Sequence, residues 1–153
     1  MLYRPEKGAM WDPTLWYEPK DNKFYMLSMH YKNDADGGTG MWLAESEDGV
    51  HFRGVGRVLS CEGGLFKMFI NRTADGRYCV NFGSTHTEDD PFAPTATMRY
   101  AVSEDLIHWT DHGVVFSLAD STWAKDCGAL YAPDCAYRDG WYYLYYCVPD
   151  GRC

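Results

Sequence analysis

A seven-residue pattern occurs twice in this chain. "SEDGVHF" begins at Ser46 and "SEDLIHW" at Ser103, so S-E-D-x-x-H-aromatic recurs after 57 residues. A second series supports this period. "NKFYMLS" begins at Asn22, "GRYCVNF" at Gly76 and "GWYYLYY" at Gly140, with spacings of 54 and 64. Repetition at such a period marks one supersecondary unit that stacks on copies of itself to bury its faces.

Each unit reads as four strands. In the first, "MWDPTLWYE" leads to a turn at Lys20-Asp21-Asn22, and "KFYMLSMHY" leads to a polar, Gly-rich loop. "MWLAESE" and "HFRGVGRVL" complete it around Asp48-Gly49. The second unit runs "LFKMFINRT", "RYCVNFGST", "TMRYAVSE" and "HWTDHGVVF". The third holds "ALYAPDCAYR", a turn at Asp139-Gly140 and "WYYLYYCV". Short runs rich in Tyr, Phe, Val and Trp between Asp-Gly or Asp-Asn turns are strand and hairpin signals. No segment carries a helical period with caps. Repeated four-stranded units predict an all-β fold, a β-propeller of about two and a half blades: 8–60, 63–118 and a partial 127–153. A sandwich of about ten strands is the alternative, but it does not require matching S-E-D-x-x-H motifs. Two and a half blades do not close a ring, so a strand edge and a blade face are expected to be exposed.

The leading strand of a propeller blade is the innermost and lines the central channel. Superimposing units one and three places Pro13 on Pro133, 120 residues apart. Asp12 lies immediately before this shared proline and Asp134 immediately after it. Proline suits such a strand start because it offers no N–H to the ladder and fixes φ. Two carboxylates facing one channel fit glycoside hydrolysis, where one activates water and another group protonates the leaving oxygen. A further carboxylate raises the acid's pKa by like-charge repulsion.

Charge and composition limit the partners. The formal charge of −8 and the lack of a basic cluster exclude nucleic acid and anionic membrane as expected partners. With twelve Tyr, seven Phe and six Trp, an acidic surface suits a neutral, hydroxyl-rich ligand such as a carbohydrate. No apolar run approaches the ~20 residues of a membrane span. "MLYRPEKGAM" lacks the apolar core of a signal peptide, which predicts a cytoplasmic chain, or a secreted one if further residues precede it. The six cysteines form no C-x-x-C pair, so no zinc site is expected. They read as thiols, with Cys79, Cys135 and Cys147 as small buried residues in strands.

"DPTLWYEPKDNKFYMLS", "SEDLIHW" and "YAPDCAYRDGWYYLYYCV" resemble the five-bladed propeller glycosidases of glycoside hydrolase family 43, which holds arabinanases, β-xylosidases and α-L-arabinofuranosidases. The resemblance aligns nearly the whole chain with the first half of the family's domain. It implies that Asp12 is the general base, and that Asp134 orients the general acid and modulates its pKa. The family's W-A-P-D motif reads Tyr131-Ala132-Pro133-Asp134 here. The family's acid is a glutamate of a later blade, and Glu6, Glu18, Glu45, Glu47, Glu62, Glu88 and Glu104 all precede the third blade. The resemblance therefore implies an acid beyond Cys153, supplied with the remaining blades by further C-terminal sequence rather than by a homodimer. The 153 residues alone are expected to be inactive. No cofactor is implied. Family 32, the invertase and levanase group, is the close rival, but it would want N-D-P-N-G where this chain has Trp11-Asp12-Pro13-Thr14-Leu15. A non-catalytic carbohydrate-binding half propeller is a further alternative.

Several other residues carry expectations. Trp11 and Tyr131 flank the aspartates and can either stack on a sugar face or pack between inner strands. His86, in "GSTHTEDD", is a candidate substrate contact at the channel. His30 ends the matching strand of blade one and reads as a surface or hydrogen-bonded residue. His51 and His108 recur with the blade and are expected to be architectural. "TEDD", at 87–90, lacks the spacing of an EF-hand loop and reads as a solvated acidic loop. By alternation Tyr143 and Tyr145 share one face of their strand, and Tyr142, Leu144 and Tyr146 the other. Covering by neighbouring blades on both sides would explain aromatics on both.

Overall fold

Strand-forming sequence in this chain resolves into three antiparallel sheets. The computed structural model describes Tyr3 and residues 9–31, 40–60, 65–84 and 97–149. Blade one is β1 (Ala9–Glu18), β2 (Lys23–Tyr31), β3 (Gly40–Ser46) and β4 (Arg53–Leu59), paired in that order. Blade two repeats this with β5 (Leu65–Arg72), β6 (Tyr78–Ser84), β7 (Thr97–Ser103) and β8 (Trp109–Ser117). The third sheet holds β9 (Tyr131–Arg138) and β10 (Trp141–Cys147). A single 3-10 turn at Leu118–Asp120 lies between β8 and β9. No helix among the described residues is long and apolar enough to cross a membrane. These up-and-down four-stranded sheets are propeller blades, as the repeats predict.

The innermost strands sit side by side, with β5 touching both β1 and β9. Each carries the same irregularity. Four residues of β1, from Trp11 to Thr14, stand against three of β2, from Leu27 to Met29. Phe66 to Phe69 of β5 and Tyr131 to Asp134 of β9 do the same against β6 and β10. A bulge adds one residue and bends the strand locally. Its recurrence equates Trp11 with Phe66 and Tyr131, and Pro13 with Met68 and Pro133.

The S-E-D-x-x-H segments build the corner between the third and fourth strands. Ser46 Oγ accepts the amide of Gly49 at 3.0 Å, and Asp48 Oδ1 accepts those of Val50 and His51 at 2.8 and 2.7 Å. Asp48 Oδ2 meets His51 Nδ1 at 2.7 Å. In blade two Ser103 Oγ accepts Leu106 N at 2.9 Å, Asp105 Oδ1 accepts Ile107 N and His108 N at 2.9 and 2.8 Å, and His108 Nδ1 lies 2.7 Å from Asp105 Oδ2. The bonds from His51 and its neighbouring amides hold Asp48 well below the usual carboxylate range. The corner needs a left-handed residue, which is Gly49 at φ 73° in one blade and Leu106 at φ 68° in the other. The Leu106 side chain is buried in the core shared by the blades.

That core joins Leu27, Met29, Met41 and Leu43 of blade one to Met68, Ile70, Val80 and Phe82 of blade two. A smaller cluster of Met98, Leu118, Ala124, Leu130 and Val148 seats β10 against blade two. Tyr146 belongs to it, stacked on Trp123 with ring centroids 5.5 Å apart. The other face of β10 departs from the expectation of cover on both sides. Trp141, Tyr143 and Tyr145 are 71%, 45% and 58% exposed, because no further blade among the described residues stacks on that face, and Tyr142 at the end of the opposite face is 60% exposed as well. The cysteines depart too. Cys79 and Cys135 are thiols, but Cys147 is disulfide-bonded, and Cys135 is half-buried rather than buried.

Candidate active site

The bulges fix the backbone around the predicted carboxylates. Asp12 has φ 47° and Ala132, its equivalent in β9, φ 45°. Both precede a proline, which disfavours the α region for them. A left-handed residue other than glycine is uncommon, and Asp tolerates it better than most. Strain of this kind costs of order 1–3 kcal/mol and gathers where a side chain must be aimed. Asp12 is exposed, and beside it Trp11 is 44% exposed. Tyr131 occupies the same place in β9 and is 41% exposed.

Asp134 follows the bulge, so its structural equivalent is Thr14 rather than Asp12. It is half-buried, and its Oδ1 accepts the amide of Cys135 at 2.7 Å. Asn71 of β5 donates through Nδ2 to the Cys135 carbonyl at 3.1 Å, locking β9 beside β5. Asp12 and Asp134 thus lie near the starts of the first and third innermost strands, with β5 between them. Asp134 also borders a cavity of about 850 Å³ between blades two and three. Cys79, Tyr100 and Val115 line it on one side, and Tyr137, Tyr142 and Leu144 on the other. Asp12 is not part of that lining.

Glu18, at the far end of β1, is the wrong kind of carboxyl for a proton donor. It is 2% exposed. Burial raises its carboxyl, but bonds from Tyr78, the Lys20 amide, Arg72 and Trp16 outweigh this and hold it at about 2. A general acid needs the opposite shift. Arg72 also stands over the Tyr78 and Trp16 rings, 4.5 and 5.6 Å from their centroids. The cluster clamps blade one to blade two, and nothing in local sequence signals it, since its members are more than fifty residues apart.

The remaining expectations divide. His86 and the "TEDD" segment lie outside the described residues. His51 and His108 are corner residues, as their repetition implies. His30 contradicts its expectation: it is fully buried and has no hydrogen-bond partner. Tyr3 and Trp42 enclose its ring, which strand pattern alone does not reveal. Among the described residues no group of three or more His, Cys, Asp or Glu is placed to hold a metal.

Comparison with known proteins places this arrangement. A protein of Aspergillus clavatus, "Probable arabinan endo-1,5-alpha-L-arabinosidase C", is 36% identical over 78 residues, which is 50% of this chain and 21% of that protein. A crystal structure of a thermostable family-43 glycoside hydrolase superposes with TM-score 0.66 at 19% identity, over 91% of this chain and 46% of that one. A fructofuranosidase from Schwanniomyces occidentalis, complexed with fructose, gives TM-score 0.71 at 16% identity, over 95% of this chain and 31% of that one. The chain therefore spans less than half the length of these relatives. The two superpositions establish the propeller fold and do not separate family 43 from family 32. The model of the glycosyl hydrolases family 43 does, matching residues 62–153, well over half of the sequence. This chain belongs to glycoside hydrolase family 43.

Proposed function

We propose that this chain is the N-terminal part of a glycosidase acting on arabinose- or xylose-containing plant oligo- or polysaccharides. Asp12 takes a proton from water, whose oxygen attacks the anomeric carbon while the bond to the leaving oxygen breaks. Asp134 orients the acid that protonates that oxygen and tunes its pKa, and the acid itself comes from outside these 153 residues. Trp11 and Tyr131 present rings to the sugar. His86 is a further substrate contact in this reading.

The observation that carries the reading is the strained, solvent-facing Asp12 at a bulge repeated beside Asp134, in a family 43 chain. Arabinose is favoured by the likeness to the Aspergillus clavatus protein named as a probable arabinan endo-1,5-alpha-L-arabinosidase. The test uses leaving groups of different basicity. p-Nitrophenyl arabinofuranoside and xyloside are expected to give no turnover with the chain alone. A 2,4-dinitrophenyl arabinofuranoside, whose leaving group departs without protonation, is expected to be hydrolysed slowly, and Asp12→Asn is expected to abolish this. Turnover left intact by Asp12→Asn would remove the role assigned to that residue.

A further inference from the structure

The segment between β8 and β9 is pinned at close intervals. Leu118, Ala124 and Leu130 are buried in the cluster that seats β10 against blade two. Between them Ser121 Oγ accepts the amide of Ala124 at 3.0 Å and that of Trp123 at 3.4 Å. The Tyr146 hydroxyl donates to the same oxygen at 3.3 Å, and Ser121 is itself buried. Trp123 is nevertheless 43% exposed. Its indole lies parallel to the Tyr146 ring within 9°, and Tyr146 packs against Phe116 with centroids 4.9 Å apart. One indole face is thus backed by rings rooted in the cluster, and the exposure falls away from that face.

Strand register places this ring at the candidate site's end of blade three. In β10, Tyr145 faces Asp134 and Cys147 faces Tyr131. Tyr146, on which Trp123 stacks, stands between them. A tryptophan that only fills a gap turns its large apolar surface inward, whereas this one is fixed and presented to water. Ordering a side chain on binding costs affinity, and here the ordering is already made on folding. A rigid aromatic side chain offers a large contact area at low entropic cost. Cations and apolar C–H surfaces both favour an indole face. Continuity with Tyr131 and Asp134, in a family 43 chain, selects the C–H face of a sugar. Thr122, Lys125 and Asp126 beside the ring are exposed and can bond hydroxyls.

We infer that Trp123 is a platform for one unit of an oligosaccharide, beyond the unit whose bond is cleaved. This rests on the carbohydrate substrate proposed above and adds to it a binding position on the β8–β9 segment. The position senses chain length. A monosaccharide occupies the cleavage site and does not reach the indole, whereas a longer chain covers both.

The test is nitrogen-15 NMR on the full chain, reading the indole N–H signals of Trp123 and Trp11, each assigned by its phenylalanine variant. α-1,5-Arabinotriose or xylotriose is expected to shift the Trp123 signal. L-Arabinose or D-xylose at equal concentration is expected to leave it in place. Trp123→Phe keeps a ring and should keep oligosaccharide affinity in calorimetry, and Trp123→Leu should weaken it by up to roughly tenfold. A tryptophan that merely covers Tyr146 would give the same affinity in both variants, which would overturn the inference. If Trp123→Leu does not fold, the wild-type shifts decide. An oligosaccharide shift at Trp11 without one at Trp123 would overturn the inference and leave the proposed substrate standing. No shift at either ring would overturn both. A Trp123 shift as large with the monosaccharides would remove its place beyond the cleaved unit.

Discussion

Substituting Glu18 tests the electrostatic clamp between the first two blades. Glu18→Gln keeps the size of the side chain and leaves Arg72 stacked on Trp16 and Tyr78, so it isolates the carboxylate charge. The carboxyl ordinarily titrates at 4.5 and here titrates at about 2. At about 1.4 kcal/mol per tenfold change in proton affinity, folding gains roughly 3 kcal/mol from the anion. Glu18 is 2% exposed, so solvent screens little of this, and breaking a buried pair ordinarily costs about 3–5 kcal/mol. The folded pKa lies below the unfolded one. The stabilisation is therefore complete above pH 4.5 and lost as pH falls through about 2. At pH 3 about 2 of the roughly 3 kcal/mol should already be gone. Urea unfolding of both forms at pH 7, 5 and 3 measures this directly. The expected gap is large at pH 7, similar at pH 5 and small at pH 3. A double-mutant cycle with Arg72→Met assigns the coupling to the pair. A gap below about 0.5 kcal/mol at pH 7, the level of an ordinary surface substitution, would refute the clamp. A gap that does not vary with pH would refute its electrostatic origin.

His30 produces a second, separate acid transition. Its folded pKa of about 4 lies below the ordinary 6.5, so its contribution is present above pH 6.5 and lost as pH falls toward 4. Wild-type stability should drop by roughly 2 kcal/mol between pH 7 and 5, and His30→Phe should lack this slope in guanidinium titrations. Gly40→Ala would set a Cβ 2.6 Å from Arg57 Cδ and 2.9 Å from the Leu59 carbonyl, and the backbone oxygen cannot yield cheaply. A loss of about 1–3 kcal/mol in the same titrations is expected. Asp105→Ala removes the acceptor of two backbone amides, whereas His108→Ala removes one side-chain contact. The first should lower the thermal midpoint more than the second.

Much of the fold was legible from local signals. Alternating apolar residues set the strands, and left-handed turn residues such as Asp139-Gly140, at φ 52° and 87°, joined them. The S-E-D-x-x-H corner was readable because all its hydrogen bonds close within three residues. Of the candidate site, the shared proline was visible as a repeat, but the bulge was not, since β5 carries it with Met68 in the proline's place. The tyrosines of β10 were misread, because the exposure of one face depends on which strands stand beside it and not on its own alternation.

Sequence alone therefore determined the repeating sheet, its corners and the two aspartates beside a repeated proline, since each is written within a few consecutive residues. Only the tertiary structure decided that Asp12 sits in a left-handed bulge, that Glu18 is an anion clamped by Arg72 and Tyr78, and that His30 is buried without a partner. The reason is one of range. Dielectric environment and hydrogen-bond partnership depend on atoms brought together from different strands and blades, and no window of adjacent residues contains them.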